Sequence, residues 1–405
     1  MKFIKKIIQT ELNHFNRLQH SAKRLILSYA LYGIGIPLLN TFTNAFIWKN
    51  SQDFSSVSVY NIGCFIALPI IFFLNGVLLQ FIPITLLYTL GLILTAVAPF
   101  IVIVLSVKSI TDLFFVGLLF GTGWGFFWSN RTFYTQRLTE DSNRNYFFSL
   151  SFTIDTITGI VVPFIIGWVI VFGGNLSYQI LAVLLLIIYL ASGITVLPLS
   201  MHPSEHTHGF LTQIKGKWSL MRLACYIFGF QSGINFILPS VLVLLLLGNE
   251  GILGSVNSLG ALFSALIIYQ IGKKSLSHHR LYVFAMGILL LIIGAGIFTY
   301  YPASFGVVAY VVGVTMAVNF TWSSYSPMLM GVIDQYTPTK KQNRFKYIVD
   351  HEIFLNLGRL TGVGMLFFFL IIFPRTQALR ITPIIIALFQ LVVLYLLGKI
   401  VKKDR

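Results

Sequence analysis

The sequence predicts an all-α polytopic membrane protein: twelve transmembrane helices in two pseudo-symmetric six-helix bundles, with both termini cytoplasmic. Three observations carry that reading. Of 405 residues, 56% are hydrophobic and only 10% charged, and mean hydropathy is +0.84, whereas a water-facing protein carries about 25% charged residues. Apolar runs of about 20 residues, enough to cross a hydrocarbon core of about 30 Å, recur twelve times. Polar landmarks repeat at close to half the chain length.

The runs follow one another with short polar joints. Leu25–Trp48, Val57–Phe81, Ile84–Val107, Leu113–Phe133, Tyr146–Phe172 and Tyr178–Leu199 form a first set within residues 25–200. Leu223–Leu247, Ile252–Ile271, Leu281–Tyr300, Phe305–Ile333, Tyr347–Phe373 and Ile381–Ile400 form a second within 219–401. Lys49–Asn50, Gly173–Gly174–Asn175, Pro302 and Pro374 punctuate the joints, as helix breakers do. The longest polar interruption, residues 201–218, reads as a cytoplasmic linker between the bundles. Residues 1–24 form a basic flank in which Ile4, Ile7, Ile8, Leu12, Phe15 and Leu18 recur at helical spacing. That fits an amphipathic helix on the inner leaflet or a plain basic flank. The first run is too long for a signal-peptide core and lacks a small-x-small cleavage site.

The net charge of +16 would suggest nucleic acid in a soluble chain. Here it reports topology. With the N-terminus inside, twenty-three of the twenty-eight Lys and Arg fall on the cytoplasmic side, four (Lys49, Lys108, Arg375, Arg380) outside, and Arg359 within a span. This is the positive-inside bias, and no nucleic-acid role is expected. Cys64 and Cys225 sit in apolar runs and read as small core residues, without metal or redox spacing.

Four landmarks recur in order. Asn61 precedes Gly63 by two residues and Asn257 precedes Gly260 by three, Phe126–Ser129 matches Phe320–Ser323 as F-x-W-S, Asn143–Arg144 matches Asn343–Arg344, and the amide pair Asn40/Asn44 matches Gln231/Asn235. Their offsets, 196, 194, 200 and 191 residues, indicate a six-plus-six duplication. With these landmarks the chain resembles the major facilitator superfamily over essentially its whole length. The stretch from Asp112 to Gly167 resembles it most, with Gly117, Gly121, Gly123 and Gly125, then Glu140, Asp141 and Arg144, then Pro163 and Gly167. The joint after the second span departs from the family pattern: Gly76 is followed by Gln80, Phe81 and Pro83, without the usual Asp-Arg and basic residues. The resemblance implies two bundles rocking about a central site lined by spans one, four, seven and ten.

Polar side chains within spans are the candidate site. Charges at a helix centre cost about 2.5–3.5 kcal/mol on insertion scales, so they face protein or a watery path. Asp155 lies mid-span with Ser151 and Thr158 on its stripe. A carboxylate withdrawn from water holds its proton more tightly, which suits proton coupling; a structural carboxylate is the alternative. Arg359 shares a face with Glu352 and Asn356, but two helical turns separate Glu352 from it by about 10.5 Å. Arg359 therefore needs another partner: Asp155, backbone carbonyls of another helix, or an anionic substrate. Asp350, His351 and Glu352 do not make a metal-ligand set. Trp124, Trp128 and Arg131 on span four, and Asn319, Trp322 and Tyr325 on span ten, would give two aromatic walls. Asn40, Asn44, Gln231 and Asn235 would complete a lining suited to a polar organic solute; packing between helices is the alternative. His202, His206 and His208 with Glu205, and the pair His278–His279, read as solvated loop residues.

The expected function is secondary active transport of a small organic solute by alternating access, coupled to protons, in a bacterial-type inner membrane. A drug or lipid exporter of the same fold is the alternative within transport. An integral-membrane transferase or a transport-inactive receptor are alternatives from other classes, but GxSxG, HExxH and Walker motifs are absent. The expected partners are a small-molecule solute and membrane lipid, with no cofactor, no metal and a monomeric chain.

Overall fold

The computed structural model describes residues 15, 18–138, 141–199, 216–272, 280–337 and 344–402. The flank before Phe15, the linker as far as Lys215 with its histidines, Glu140, the pair His278–His279 and Asn343 lie outside the described residues. Eleven helices among those described are long and apolar enough to cross a membrane, where the sequence predicts twelve runs. The difference lies in one element. Asp141–Val196 is two helices meeting at a kink, where Gly174 has φ 57 and ψ −139, outside the helical region. A straight rod of 56 residues would be about 84 Å long, far beyond a hydrocarbon core of about 30 Å, so it folds into two limbs.

The rods are then α1 (His20–Ser51), α2 (Phe54–Leu78), α3 (Ile84–Val104), α4 (Ile110–Leu138), α5 (141–173) and α6 (175–196). The second series is α7 (Lys217–Leu247), α8 (Glu250–Gly272), α9 (Arg280–Tyr300), α10 (Ser304–Tyr336), α11 (Arg344–Ile372) and α12 (Arg375–Lys402). Gly174 makes a clean test of the bend, because a Cβ there meets nothing within 4 Å while its φ is positive. Gly174→Ala is expected to lower stability by about 1–3 kcal/mol through backbone strain. An unchanged thermal-unfolding midpoint in detergent would show that the bend tolerates any residue.

Packing repeats between the two series. In the first, α2 and α3 both pack on α4; in the second, α8 and α9 both pack on α10. Likewise α3 packs on α6 and α9 on α12, while α1 crosses α5 as α7 crosses α11. This duplicated pattern is the two-bundle architecture. The bundles meet where α5 packs on α8, α2 on α11, and the second half of α1 on α7. Leu27, Ile70, Phe115, Phe152, Phe172, Leu184, Ile293 and Ile371 lie exposed on the outside, the apolar face a lipid-embedded helix bundle presents.

One irregularity positions site residues. Between Leu38 and Phe42, α1 makes a π-helical turn, and Thr43 Oγ1 donates to the Leu38 carbonyl at 2.6 Å. The extra residue rotates the register between Asn40 and Asn44. Such turns are found disproportionately at functional sites.

Candidate functional site

The amide of Asn44 sits where the bundles join. Its Nδ2 donates to the Phe236 carbonyl of α7 at 2.6 Å, and its Oδ1 accepts from Asn61 Nδ2 of α2 at 2.9 Å. Phe236 in turn meets Phe65 of α2 and Trp124 of α4 edge-on, at centroid separations of 5.5 and 5.6 Å. The Arg359 guanidinium lies 5.5 Å from the Phe65 ring and 5.7 Å from the Phe236 ring. The centre of the seam thus combines two amides, three aromatic rings and one cation, drawn from both bundles.

From Arg359 a polar chain runs back along α11. Arg359 Nε donates to Ser232 Oγ at 3.1 Å and Nη1 to Asn356 Oδ1 at 2.9 Å. Asn356 Nδ2 donates to the Glu352 carbonyl at 2.8 Å and approaches Glu352 Oε2 at 3.4 Å. Glu352 Oε1 lies 3.5 Å from His351 Nδ1, and His351 Nε2 is 3.1 Å from the buried Tyr325 hydroxyl of α10. The stripe of Glu352, Asn356 and Arg359 was visible in the sequence. The amide bridges the two helical turns that keep the charges apart. Sequence reasoning weighed His351 only as a metal ligand, and set it aside. Its partner Tyr325 lies on another helix, so no spacing along α11 points to it. Asp350, on another face, pairs with Arg222 and accepts from Trp218 Nε1 at 2.9 Å.

In the first bundle, Asp155 pairs with Arg131 at 3.4 Å and not with Arg359. Its side chain is 37% exposed and that of Arg131 14%. The guanidinium lies 4.2 Å from the Tyr29 ring and 4.9 Å from Trp128, so the aromatic wall of α4 also holds this cation. Thr158, on the expected stripe, donates to the backbone of its own helix, and Ser151 is buried.

The rings of the two expected Trp walls make different contacts. Trp124 donates Nε1 to Tyr32 at 2.8 Å within its own bundle and reaches across the seam to Phe236. Trp322 packs edge-on to Phe228 and Tyr325, and Tyr325 stacks on Phe228 at 4.9 Å in the interior of its own bundle. Tyr325 is buried, whereas Trp322 is half-buried. Gln231 Nε2 donates to Asn235 Oδ1 at 2.5 Å. Gln231 Oε1 and Asn40 Oδ1 are buried with no hydrogen-bond partner among the described residues. Asn319 is half-buried on α10.

A second polar cluster closes the end that the charge count assigns to the outside. Lys49 Nζ of α1 lies 2.9 Å from Glu250 Oε1 of α8, and the Tyr178 hydroxyl of α6 donates to the same oxygen at 3.1 Å. Trp168 of α5 donates to Ser255 of α8 at 3.1 Å. Arg375 lies over the Trp48 and Phe54 rings at 5.4 and 5.0 Å. Each of these contacts joins one bundle to the other.

Comparison with known proteins places this architecture. The model of the Major Facilitator Superfamily matches residues 25–349. An uncharacterized protein, YqgE, of Bacillus subtilis (strain 168) is 27% identical over 353 residues, which cover 84% of this chain and 80% of that one. Among solved structures, a mutant of the nucleoside transporter NupG superposes with a TM-score of 0.69 at 13% identity, covering 94% of this chain and 100% of the other. A bacterial homologue of the iron transporter ferroportin, in its inward-facing state, gives 0.66 at 13% identity over 94% and 98%. At such identities the likeness is one of fold. Family match, apolar helices and duplicated packing agree: this chain is an integral multi-pass membrane protein belonging to the major facilitator superfamily.

Proposed function

We propose that the protein is a secondary active transporter that moves a small polar organic solute by alternating access, coupled to protons. One observation carries the reading: polar groups from both halves, a cation among them, meet at the bundle seam. Asn44, Asn61 and Arg359 meet there around Phe65, Phe236 and Trp124. A solute held at such a seam touches both bundles, so rocking one against the other changes the side from which it is reached. The contacts around Lys49, Glu250, Tyr178 and Arg375 close one end, which supports a state open towards the cytoplasm.

Asp155 is the proposed coupling group. Its carboxylate is a third exposed, and its hydrogen bond to Arg131 is long, so proton gain can release the pair without unfolding a buried network. Glu352 beside His351 is a second proton-accepting position on the path to Arg359. Counterflow in proteoliposomes with a labelled nucleoside, hexose, dipeptide and monocarboxylate tests the function: saturable exchange of one probe is expected, and exchange of none overturns it. For coupling, Asp155→Asn is expected to retain counterflow and to lose pH-gradient-driven uptake by about tenfold or more. Normal gradient-driven uptake by that variant removes Asp155 from the coupling step.

A further inference from the structure

Arg359 has no carboxylate in direct contact among the described residues; its nearest, Glu352, is reached only through the Asn356 amide. The arginine side chain is 7% exposed and carries five N–H donors. Two of them go to neutral oxygens, Ser232 Oγ and Asn356 Oδ1, while Nη2 makes no hydrogen bond and no carboxylate lies within 4.0 Å among the described residues. The carboxylates that could serve are committed elsewhere: Asp155 to Arg131, Asp350 to Arg222, Glu250 to Lys49 and Asp334 to Arg344. Glu352, nearest along the helix, directs one oxygen to His351 and the other to the Asn356 amide. A buried cation held off from its nearest carboxylate recovers little of the cost of leaving water. Two ring faces return only about 0.5–2 kcal/mol each.

We propose that Arg359 anchors an anion subsite, so that the solute carried at the seam bears a carboxylate or phosphate group. This rests on the transport reading above and adds the substrate class. The planar guanidinium is suited to bidentate recognition of either group. Phe65 and Phe236 flank it from opposite bundles, so a flat apolar body attached to the anion has rings to pack on. An anion arriving there ties α2, α7 and α11 together and supplies the direct ionic contact that Glu352 does not make.

The test is equilibrium binding to the purified full-length protein in neutral detergent, read by calorimetry and thermal unfolding, with benzoate, phenyl phosphate and uncharged benzamide as probes. Binding of benzoate or phenyl phosphate, but not benzamide, is expected in the wild type. Equal responses to benzoate and benzamide, or no response to either anion, overturn the proposal without recourse to any variant. Arg359→Gln is expected to weaken anion binding by about thirtyfold or more, and Arg359→Lys, which keeps the charge but not the fork, by about tenfold. Removing the competing charge with Glu352→Gln is expected to strengthen anion binding several-fold, a gain that a purely structural Arg359 would not produce. In nanodiscs, stabilisation that follows phosphatidylglycerol content and ignores benzoate would make the anion a lipid headgroup and overturn the solute assignment. Binding is measured without a gradient. Anion binding with no counterflow therefore leaves the subsite and removes transport, whereas counterflow of a neutral probe without anion binding does the reverse.

Discussion

Gly117→Val is expected to abolish recovery of folded protein, or to lower its stability by about 3 kcal/mol or more. Gly117 lies on α4 where it crosses α2, and a Cβ at that position would collide with the Tyr60 carbonyl oxygen and press on its Cα. The obstacle is backbone on the facing helix, so no rotamer change relieves it, and the helices must move apart along their length. Overpacking commonly costs about 1–3 kcal/mol where side chains can yield; a backbone clash belongs at or above the top of that range. Small residues at close crossings are the main means by which membrane helices associate. Gly159→Ala is the matched control. A Cβ there meets nothing within 4 Å, and replacing a helical glycine is expected to gain about 0.5–1 kcal/mol. Thermal unfolding monitored by size-exclusion chromatography checks both. Equal stability of Gly117→Val and wild type would mean that α2 and α4 do not approach so closely.

The second large effect belongs to the closed end. Lys49→Ala strands the Glu250 carboxylate, whose side chain is only 6% exposed, with Tyr178 as its remaining partner. Breaking a fully buried pair costs about 3–5 kcal/mol. Here the lysine is 42% exposed and solvent screens part of the attraction, so about 1–2 kcal/mol is expected. That energy favours separation of the bundles at this end and raises the open population by about tenfold. A cysteine placed by Ser255→Cys, in a background lacking Cys64 and Cys225, reports the opening through its rate of labelling by an external impermeant maleimide. Glu250→Gln keeps size and acceptor and is expected to have the smaller effect. The double variant should fall nearer wild type than Lys49→Ala alone, because the stranded charge is gone. Unchanged labelling in Lys49→Ala would show that the rings beneath Arg375 and the α5–α8 packing hold the seam without the ion pair.

Much of this architecture could be read from composition and spacing. Crossing hydrocarbon requires long uninterrupted apolar runs, so the rods announce themselves. The break at Gly173–Gly174 was evident as a breaker pair. The landmarks at half-chain offsets anticipated the duplicated packing of α2 on α4 and α8 on α10. Arg359 stood out because a guanidinium is rare in a span, and the Glu352–Asn356–Arg359 stripe followed from helical periodicity. What spacing could not supply were pairings between distant elements. Asn44 with the Phe236 carbonyl, Lys49 with Glu250, and Tyr325 with His351 are brought together by helix packing, and no local pattern marks them. The same limit applies to Trp322 and Tyr325: helical spacing gives a shared face but not which neighbour that face meets.

The Arg359 guanidinium also bears on biosynthesis. Chains emerge from the ribosome N-terminus first, so Ser232 on α7 is already in the bilayer when Arg359 on α11 leaves the insertion machinery. The close crossing at Gly233, whose missing side chain leaves room for the Arg359 backbone, sets that earlier-made hydroxyl beside the helix that brings the charge.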